Sequence, residues 1–334
     1  MKTYKNLFQE VCEFKCLYNA YLKARRGKNK CVEVLRFTYN LENELFNLQH
    51  ELKNQIYKMG RYRHFVIFEP KKREISALCF RDKIVQHAVN SVIEPIFDKT
   101  FIYDSYACRK EKGTHAGINR LQKFLRKIND KSYVLKMDIS KYFQNINHKI
   151  LKKIIRKRIA DEKLLQLLDD IINSTNKGIP LGNLTSQLFA NIYLNELDKY
   201  VKYELKIKYY VRYMDDFIIL HESKFYLHEI KRKIQEFLIS IKLDLHFNKT
   251  NIFLIKDGID FLGYRIFNTY KLMRKSTVKR FLKNIKKKIN KYNFGMMDLD
   301  KLMESFNSWE AYMNHGNSYL LKKSLYERYW KNVM

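Results

Sequence analysis

Proline and glycine are scarce, 3 and 10 among 334 residues. That excludes collagen-like repeats and Gly/Pro-rich linkers, so domain boundaries must be read from changes of pattern. Long apolar runs are lacking too. The longest, such as Phe217–Leu220, span about four residues, against the ~20 that a membrane-crossing helix needs. At the N-terminus Gln9, Glu10 and Glu13 interrupt what a signal peptide would keep continuously apolar. A soluble, cytoplasmic protein with no membrane partner is expected. The cysteines, Cys12, Cys16, Cys31, Cys79 and Cys108, are few and scattered. No CxxC pair or nearby His cluster completes a zinc site, and they read as reduced structural thiols.

Acidic residues are also short: 35 Asp+Glu face 65 Lys+Arg, a net charge of +30. A surplus of that size repels itself unless a polyanion neutralises it, which makes nucleic acid the first-choice partner. An AT-rich coding bias, visible in the abundant Lys, Asn, Ile, Tyr and Phe, would raise Lys without any function. With 46% apolar residues the chain can build a sizeable core. The charge is densest in residues 261–297, with eleven Lys/Arg and no acid. There Val278, Phe281, Leu282, Ile285 and Ile289 keep helical spacing, with Lys275, Lys279, Lys283 and Lys286 opposite. Lys152, Lys153, Arg156, Lys157 and Arg158 form a second outward basic face.

Along the chain, residues 1–60 read as helices, with Phe8, Val11, Cys12, Lys15 and Cys16 at helical spacing and Leu41, Leu45, Leu48 and Leu52 likewise on one face. Phe65–Phe68 and Ile75–Cys79 read as a hairpin around a basic turn, Pro70-Lys71-Lys72-Arg73. Helices are expected over Asp82–Phe97, His148–Ile159, Thr185–Tyr200 and Phe225–Ile241. Strands are expected at Tyr133–Asp138, Tyr209–Tyr213, Phe217–Leu220 and, as a hairpin, Asp260–Phe267. Gly178-Ile-Pro-Leu-Gly182 is a loop.

Asp215 and Asp216 sit between two apolar strands, in Tyr213-Met-Asp-Asp-Phe217. Adjacent carboxylates there repel unless exposed at a turn or neutralised. Asp138 ends another apolar strand, and if the strands are neighbours three carboxylates meet at one sheet edge. Oxygen-only donors suit Mg²⁺, which leaves room for phosphates. Two such ions can clamp an in-line phosphoryl displacement. On so basic a chain, nucleotidyl transfer is the best chemical reading.

These residues carry a resemblance. Tyr213-Met-Asp-Asp216 resembles the YxDD motif of reverse transcriptases, and Asp138-Ile-Ser-Lys-Tyr-Phe143 their preceding palm motif. Arg81–Ala88, Asp104–His115 and Phe261-Leu-Gly-Tyr264 resemble the fingers blocks and the primer-grip hairpin, in the right order from about residue 60 onward. The resemblance implies an α+β right-hand polymerase with fingers, an antiparallel-sheet palm and a short helical thumb. Its divisions would be an N-terminal helical extension (1–60), fingers with part of the palm (61–130), palm with a 150–180 insertion (131–268) and thumb (269–334). It also implies RNA-directed DNA polymerisation with two Mg²⁺ ions, or Mn²⁺ in their place. Asp138, Asp215 and the Ile139 carbonyl would bind metal, with Asp216 supporting. Phe143 would exclude a 2′-hydroxyl, and Lys249 would protonate the leaving pyrophosphate. Arg73 and Arg81, with Lys71 and Lys72 less central, would grip the dNTP. Phe261, Leu262, Gly263 and Tyr264, with the Lys275, Lys279, Lys283 and Lys286 face, would hold the template–primer duplex. Trp309, Tyr312, Tyr319, Tyr326 and Trp330 would pack the thumb.

One block departs from the common pattern. Where most of the family resembles QGxxxSP, this chain reads Leu181-Gly182, three residues, then Ser186-Gln187. That variant resembles the reverse transcriptases of diversity-generating retroelements. The resemblance implies error-prone cDNA, mutagenic at template adenines, copied from a retroelement RNA and used to replace part of a target gene. It also implies a small, basic, oligomeric accessory protein. Leu181, Gly182 and Gln187 would line the nascent base pair, with Gly182 letting the backbone approach the nucleotide. Alternatives are another bacterial reverse transcriptase (group II intron-like, retron-like or phage-defence type), a non-catalytic nucleic-acid scaffold, or an RNA-dependent RNA polymerase, which Phe143 disfavours. No maturase, HNH or RNase H region is expected in the sequence after the Phe261–Tyr264 block.

Overall fold

The computed structural model describes residues 2–68 and 72–330. Pro70, Lys71 and the Trp330 side chain lie outside the described residues. Four helices lead: α1 (Leu7–Val11), α2 (Phe14–Arg25), α3 (Val32–Tyr39) and α4 (Leu41–Lys53). Leu45, Leu48 and Leu52 are buried as their spacing predicts. These helices form no separate body: their apolar faces merge with one large core that runs through the rest of the chain as far as Leu243. Lys15 is exposed, because the helix breaks before Phe14 and resets the face.

Next come the antiparallel ribbon β1 (Arg63–Ile67) and β2 (Arg73–Ala77), then α5 (Phe80–Asp98) and α6 (Thr114–Leu125). Strand β3 (Tyr133–Asp138) is followed by the short α7 (Tyr142–Asn145), α8 (His148–Arg156), α9 (Glu162–Asn173) and α10 (Leu184–Lys199). Asn147 caps α8 by accepting from the Ile150 N–H, and Asp161 caps α9 by accepting from Leu164, each satisfying an orphan donor of a first turn. The expected helix to Ile159 thus ends at Arg156, and Asp161 starts a second one. Then follow β4 (Tyr210–Tyr213), β5 (Asp216–His221), α11 (Lys224–Ser240), capped by Ser223, and β6 (Asn251–Leu254). The chain closes with β7 (Ile259–Phe261), β8 (Tyr264–Ile266), β9 (Lys271–Met273), α12 (Lys275–Asn293), α13 (Leu299–Met313) and α14 (Tyr319–Leu325).

The central sheet is antiparallel, in order β4-β5-β3-β6. Strand alternation sends Leu135, Met137, Phe217 and Ile219 into the large core. Val134, Ile218 and Leu220 point to the other face, onto a second core shared with α6 and the β7-β8-β9 sheet. Asp138 and Asp216 belong to that second face, at the end of the sheet.

The basic face on α8 is largely paired within the protein. Lys152 and Arg156 both reach Asp169 on α9, at 3.4 and 2.7 Å, and Lys157 reaches Glu196 at 2.7 Å. All five cysteines are free thiols, and burial pushes Cys12 and Cys79 up to about 11, consistent with structural roles. Among the described residues no helix is long and apolar enough to cross a membrane.

Candidate active site

The β3–β5 ladder sets Asp138 directly opposite Asp216. Asp215 occupies the β4–β5 turn, and its carbonyl accepts from the Ile139 N–H at 3.2 Å. The three carboxylates feel one another. Burial and then the Asp138 charge push Asp215 above its ordinary value, while Lys249 and Arg73 pull the other way. Asp216 is pushed up to about 6 by burial and by Asp138 and Asp215, against the pull of Lys136.

Two lysines answer this negative charge. Lys249 donates to Asp138 Oδ1 at 2.5 Å, bringing the expected proton donor to the carboxylate edge. The other was not anticipated. Lys136 lies 3.6 Å from Asp216 Oδ2 and donates to the Asp260 carbonyl at 2.5 Å. Its signal was present in the sequence, since a Lys two residues before Asp138 in a strand shares its face. Asp138, Asp216, Lys136, Lys249 and Arg274 line a cleft of about 730 Å³.

Among the described residues no three His, Cys, Asp or Glu side chains form a cage for a metal ion. Lys249 bonds Asp138 and Lys136 lies near Asp216, so lysines share the carboxylate edge. The donors still fit a hard divalent cation. They are all oxygens, Asp216 Oδ1 is buried without a hydrogen-bond partner, and Mg²⁺ ordinarily takes only one or two carboxylates beside water and phosphate.

The 178–182 loop is sewn to the β1–β2 ribbon. Its Leu181 carbonyl accepts from Ser76 N–H at 2.9 Å, and Ile179 N–H donates to the Phe143 carbonyl at 2.8 Å. Gly182 packs closely on β2: a Cβ there would lie 2.9 Å from Ile75 Cγ2 and 3.2 Å from the Ser76 carbonyl, at φ +116°. The missing side chain thus serves contact with β2. Gly182→Ala should therefore destabilise the protein by about 1–2 kcal/mol, read as a lowered urea midpoint with unchanged slope. Arg73 lies on β2 and acts electrostatically on Asp215. Phe143 is half-buried against Tyr142, and Gln187 is exposed on the first turn of α10. Arg81 is directed elsewhere: it pairs with Glu51 and sits 5.2 Å over the Tyr57 ring, so its guanidinium is already engaged.

The β7–β8 turn places Leu262 and Gly263 both at positive φ, the geometry of a tight two-residue hairpin. Phe261 and Tyr264 beside it are fully buried, and a Cβ on Gly263 would collide with the Tyr312 hydroxyl. From Leu262 and Gly263 a groove of about 1030 Å³ continues between α12 and α13, where Arg280, Lys287, Lys288 and Lys291 line it. Lys275, Lys279, Lys283 and Lys286 are exposed as expected, but they belong to another face of α12 and do not line this groove. Trp309 stacks on Phe281 at 4.1 Å, packing the helices as anticipated, whereas Tyr319 and Tyr326 are exposed.

Residues 58–266 match the family described as reverse transcriptase (RNA-dependent DNA polymerase). The chain is 29% identical over 241 residues to Protein YkfC of Escherichia coli (strain K12), covering 59% of this chain and 63% of that protein. It is 26% identical over 326 residues to the group II intron-encoded protein LtrA of Lactococcus lactis subsp. cremoris, covering 75% and 53% respectively. The chain thus spans between half and two thirds of these relatives' lengths. Among solved structures it resembles apo telomerase from Candida tropicalis, with a TM-score of 0.50 and 15% identity, covering 69% of this chain and 52% of that one. The likeness bears out the α+β right-hand polymerase fold.

Proposed function

Because the chain belongs to the reverse transcriptase (RNA-dependent DNA polymerase) family, we infer that it extends a DNA primer on an RNA template with dNTPs. The observation that carries this reading is the meeting of Asp138 and Asp216 across one ladder, with Asp215 at the adjoining turn and Lys249 2.5 Å from Asp138. Asp138 and Asp215, with Asp216 and the Ile139 carbonyl beside them, would hold Mg²⁺ or Mn²⁺. When bound, such ions offset the charge of the attacking and leaving oxygens. Lys249 would give a proton to departing pyrophosphate. Arg73, on β2, acts electrostatically on Asp215 and would suit a triphosphate. Phe143, half-buried beside Tyr142, would crowd a 2′-hydroxyl. The β7–β8 turn and the adjoining groove would carry the duplex, whose phosphates position it without reading sequence. In this reading residues 1–60 are a helical extension, 61–130 fingers, 131–268 palm and 269–334 thumb. The test is primer extension by the purified chain on an RNA template with four dNTPs and Mg²⁺. Extension is expected, and its absence with both Mg²⁺ and Mn²⁺ would overturn the reading.

The finer reading is the enzyme of a diversity-generating retroelement, making adenine-mutagenic cDNA beside a small basic accessory protein. Its support is Leu181 and Gln187, where the common pattern has Gln and Pro. A side chain without hydrogen-bonding groups holds a base pair with fewer directional constraints. Leu181→Gln is expected to lower errors opposite template adenine by about tenfold, the worth of one hydrogen bond, as counted by sequencing the cDNA. Similarity to the group II intron-encoded protein favours a second reading, a group II-like enzyme. An error spectrum with no adenine bias would select it.

A further inference from the structure

We propose that Arg212 is a positioning residue for the carboxylate turn, its buried guanidinium fixing the Met214 carbonyl and thereby the placement of Asp215. The inference rests on the polymerase reading and deepens it. Arg212 and Asp198 are both completely buried. Nε donates to Asp198 Oδ1 at 2.7 Å and Nη2 to Oδ2 at 2.6 Å, a bidentate pair. Nη2 also donates to Ser105 Oγ at 2.9 Å, and Nη1 to Asn191 Oδ1 at 3.3 Å. The remaining bond, from Nη1, goes to the Met214 carbonyl at 3.1 Å. A guanidinium has five N–H donors, and here each has an acceptor.

Met214 needs such support. Its φ of +54° is uncommon for a residue with a side chain and persists only where the surroundings over-determine it. The turn is gripped on both sides, at the Met214 carbonyl by Arg212 and at the Asp215 carbonyl by Ile139 N–H. Arg212 is itself anchored through its backbone, donating to the Asp104 carbonyl at 2.9 Å and accepting from Tyr106 N–H at 3.0 Å. A buried ion pair is by itself a weak source of stability, since apolar residues of equal volume often serve as well. What an apolar pair could not supply is the bond to the turn. Lysine would keep the charge opposite Asp198, but its three donors cannot serve all the acceptors.

The test compares Arg212→Lys with the double variant Arg212→Met/Asp198→Asn, which removes both buried charges and keeps an acceptor for the Tyr210 hydroxyl. Folding is followed by circular dichroism, RNA–DNA duplex binding by anisotropy, and Mn²⁺ binding by electron paramagnetic resonance. Both variants are expected to fold and to bind duplex like the unmodified protein. Their kcat should fall by about 10–100-fold and their Mn²⁺ affinity by about tenfold, with KM for dNTP little changed. A folded double variant with undiminished kcat and Mn²⁺ affinity would overturn the proposal. So would failure of both variants to fold, which would make the pair a core element only. Failure of the polymerase reading is distinguishable: the unmodified chain would then not extend primers, while the Mn²⁺ comparison would still report on the turn.

Discussion

Asp215→Asn is expected to abolish primer extension, lowering its rate by about 10³-fold or more, while RNA binding stays nearly intact. The replacement keeps the shape of the side chain and removes a full charge from the place where Asp138, Lys249 and Arg73 converge on it. Loss of metal-borne charge stabilisation amounts to several kcal/mol, and each ~1.4 kcal/mol is a factor of ten in rate. Folding should not suffer, because burial and the Asp138 charge already disfavour ionised Asp215. Binding should not suffer either, since affinity for a polyanion is spread over a chain with net charge +30. Gel-resolved primer extension and fluorescence anisotropy on the same preparation separate the two effects. Extension at the original rate would move the catalytic metal away from Asp215.

Much of the central sheet is legible because its strands are short apolar runs, two of them bordered by acids. Tyr133–Asp138 was read with the bounds observed. The helix α9 was missed although its signals were present. Asp161 caps it, and the buried Leu164, Leu165, Leu167, Leu168, Ile171 and Ile172 keep the i, i+3, i+4, i+7 spacing of an amphipathic helix. The helix α6 lies mostly beyond the Asp104–His115 block, in a stretch given no secondary structure, although Ile118, Leu121, Gln122 and Leu125 share one buried face. Periodicity told which side of α4 is apolar, but it could not tell that this side joins the main core. The choice of partner is a tertiary matter.

The same division runs through the site. Adjacent carboxylates at a strand end announce themselves, because few environments tolerate them. Lys136 could have been read from strand alternation with Asp138. Arg212 could not. A charged residue in a strand reads as facing solvent, and the group that neutralises it, Asp198, stands on another element. On α12 the apolar stripe was plain, but the helix has two basic flanks. Only the position of α13 decides that Arg280, Lys287 and Lys291 border the groove. Arg81 looked like a phosphate ligand until Glu51, from a distant helix, met it.

Asp216→Asn is expected to stabilise the metal-free protein at neutral pH by on the order of 2–3 kcal/mol. Burial, then repulsion from Asp138 and Asp215, pushes Asp216 up to about 6 from its ordinary 3.8, with Lys136 opposing. The folded state thus holds this proton more tightly than the unfolded chain does. Below about pH 3 the group is neutral in both states, and the variant should match the unmodified protein. As pH rises from there through about 6, the unfolded chain ionises first and the folded protein loses relative stability. Above that window the difference is full and constant. The side chain is 23% exposed, so solvent should keep the gain toward the lower figure. Urea unfolding at a series of pH values reads this directly. Mg²⁺ should then narrow the gap at neutral pH, because a cation bound only by the folded state stabilises the unmodified protein more than the variant. A variant no more stable at neutral pH would mean that Lys136 compensates Asp216 fully. A gap that Mg²⁺ leaves unchanged would remove Asp216 from the cation's surroundings.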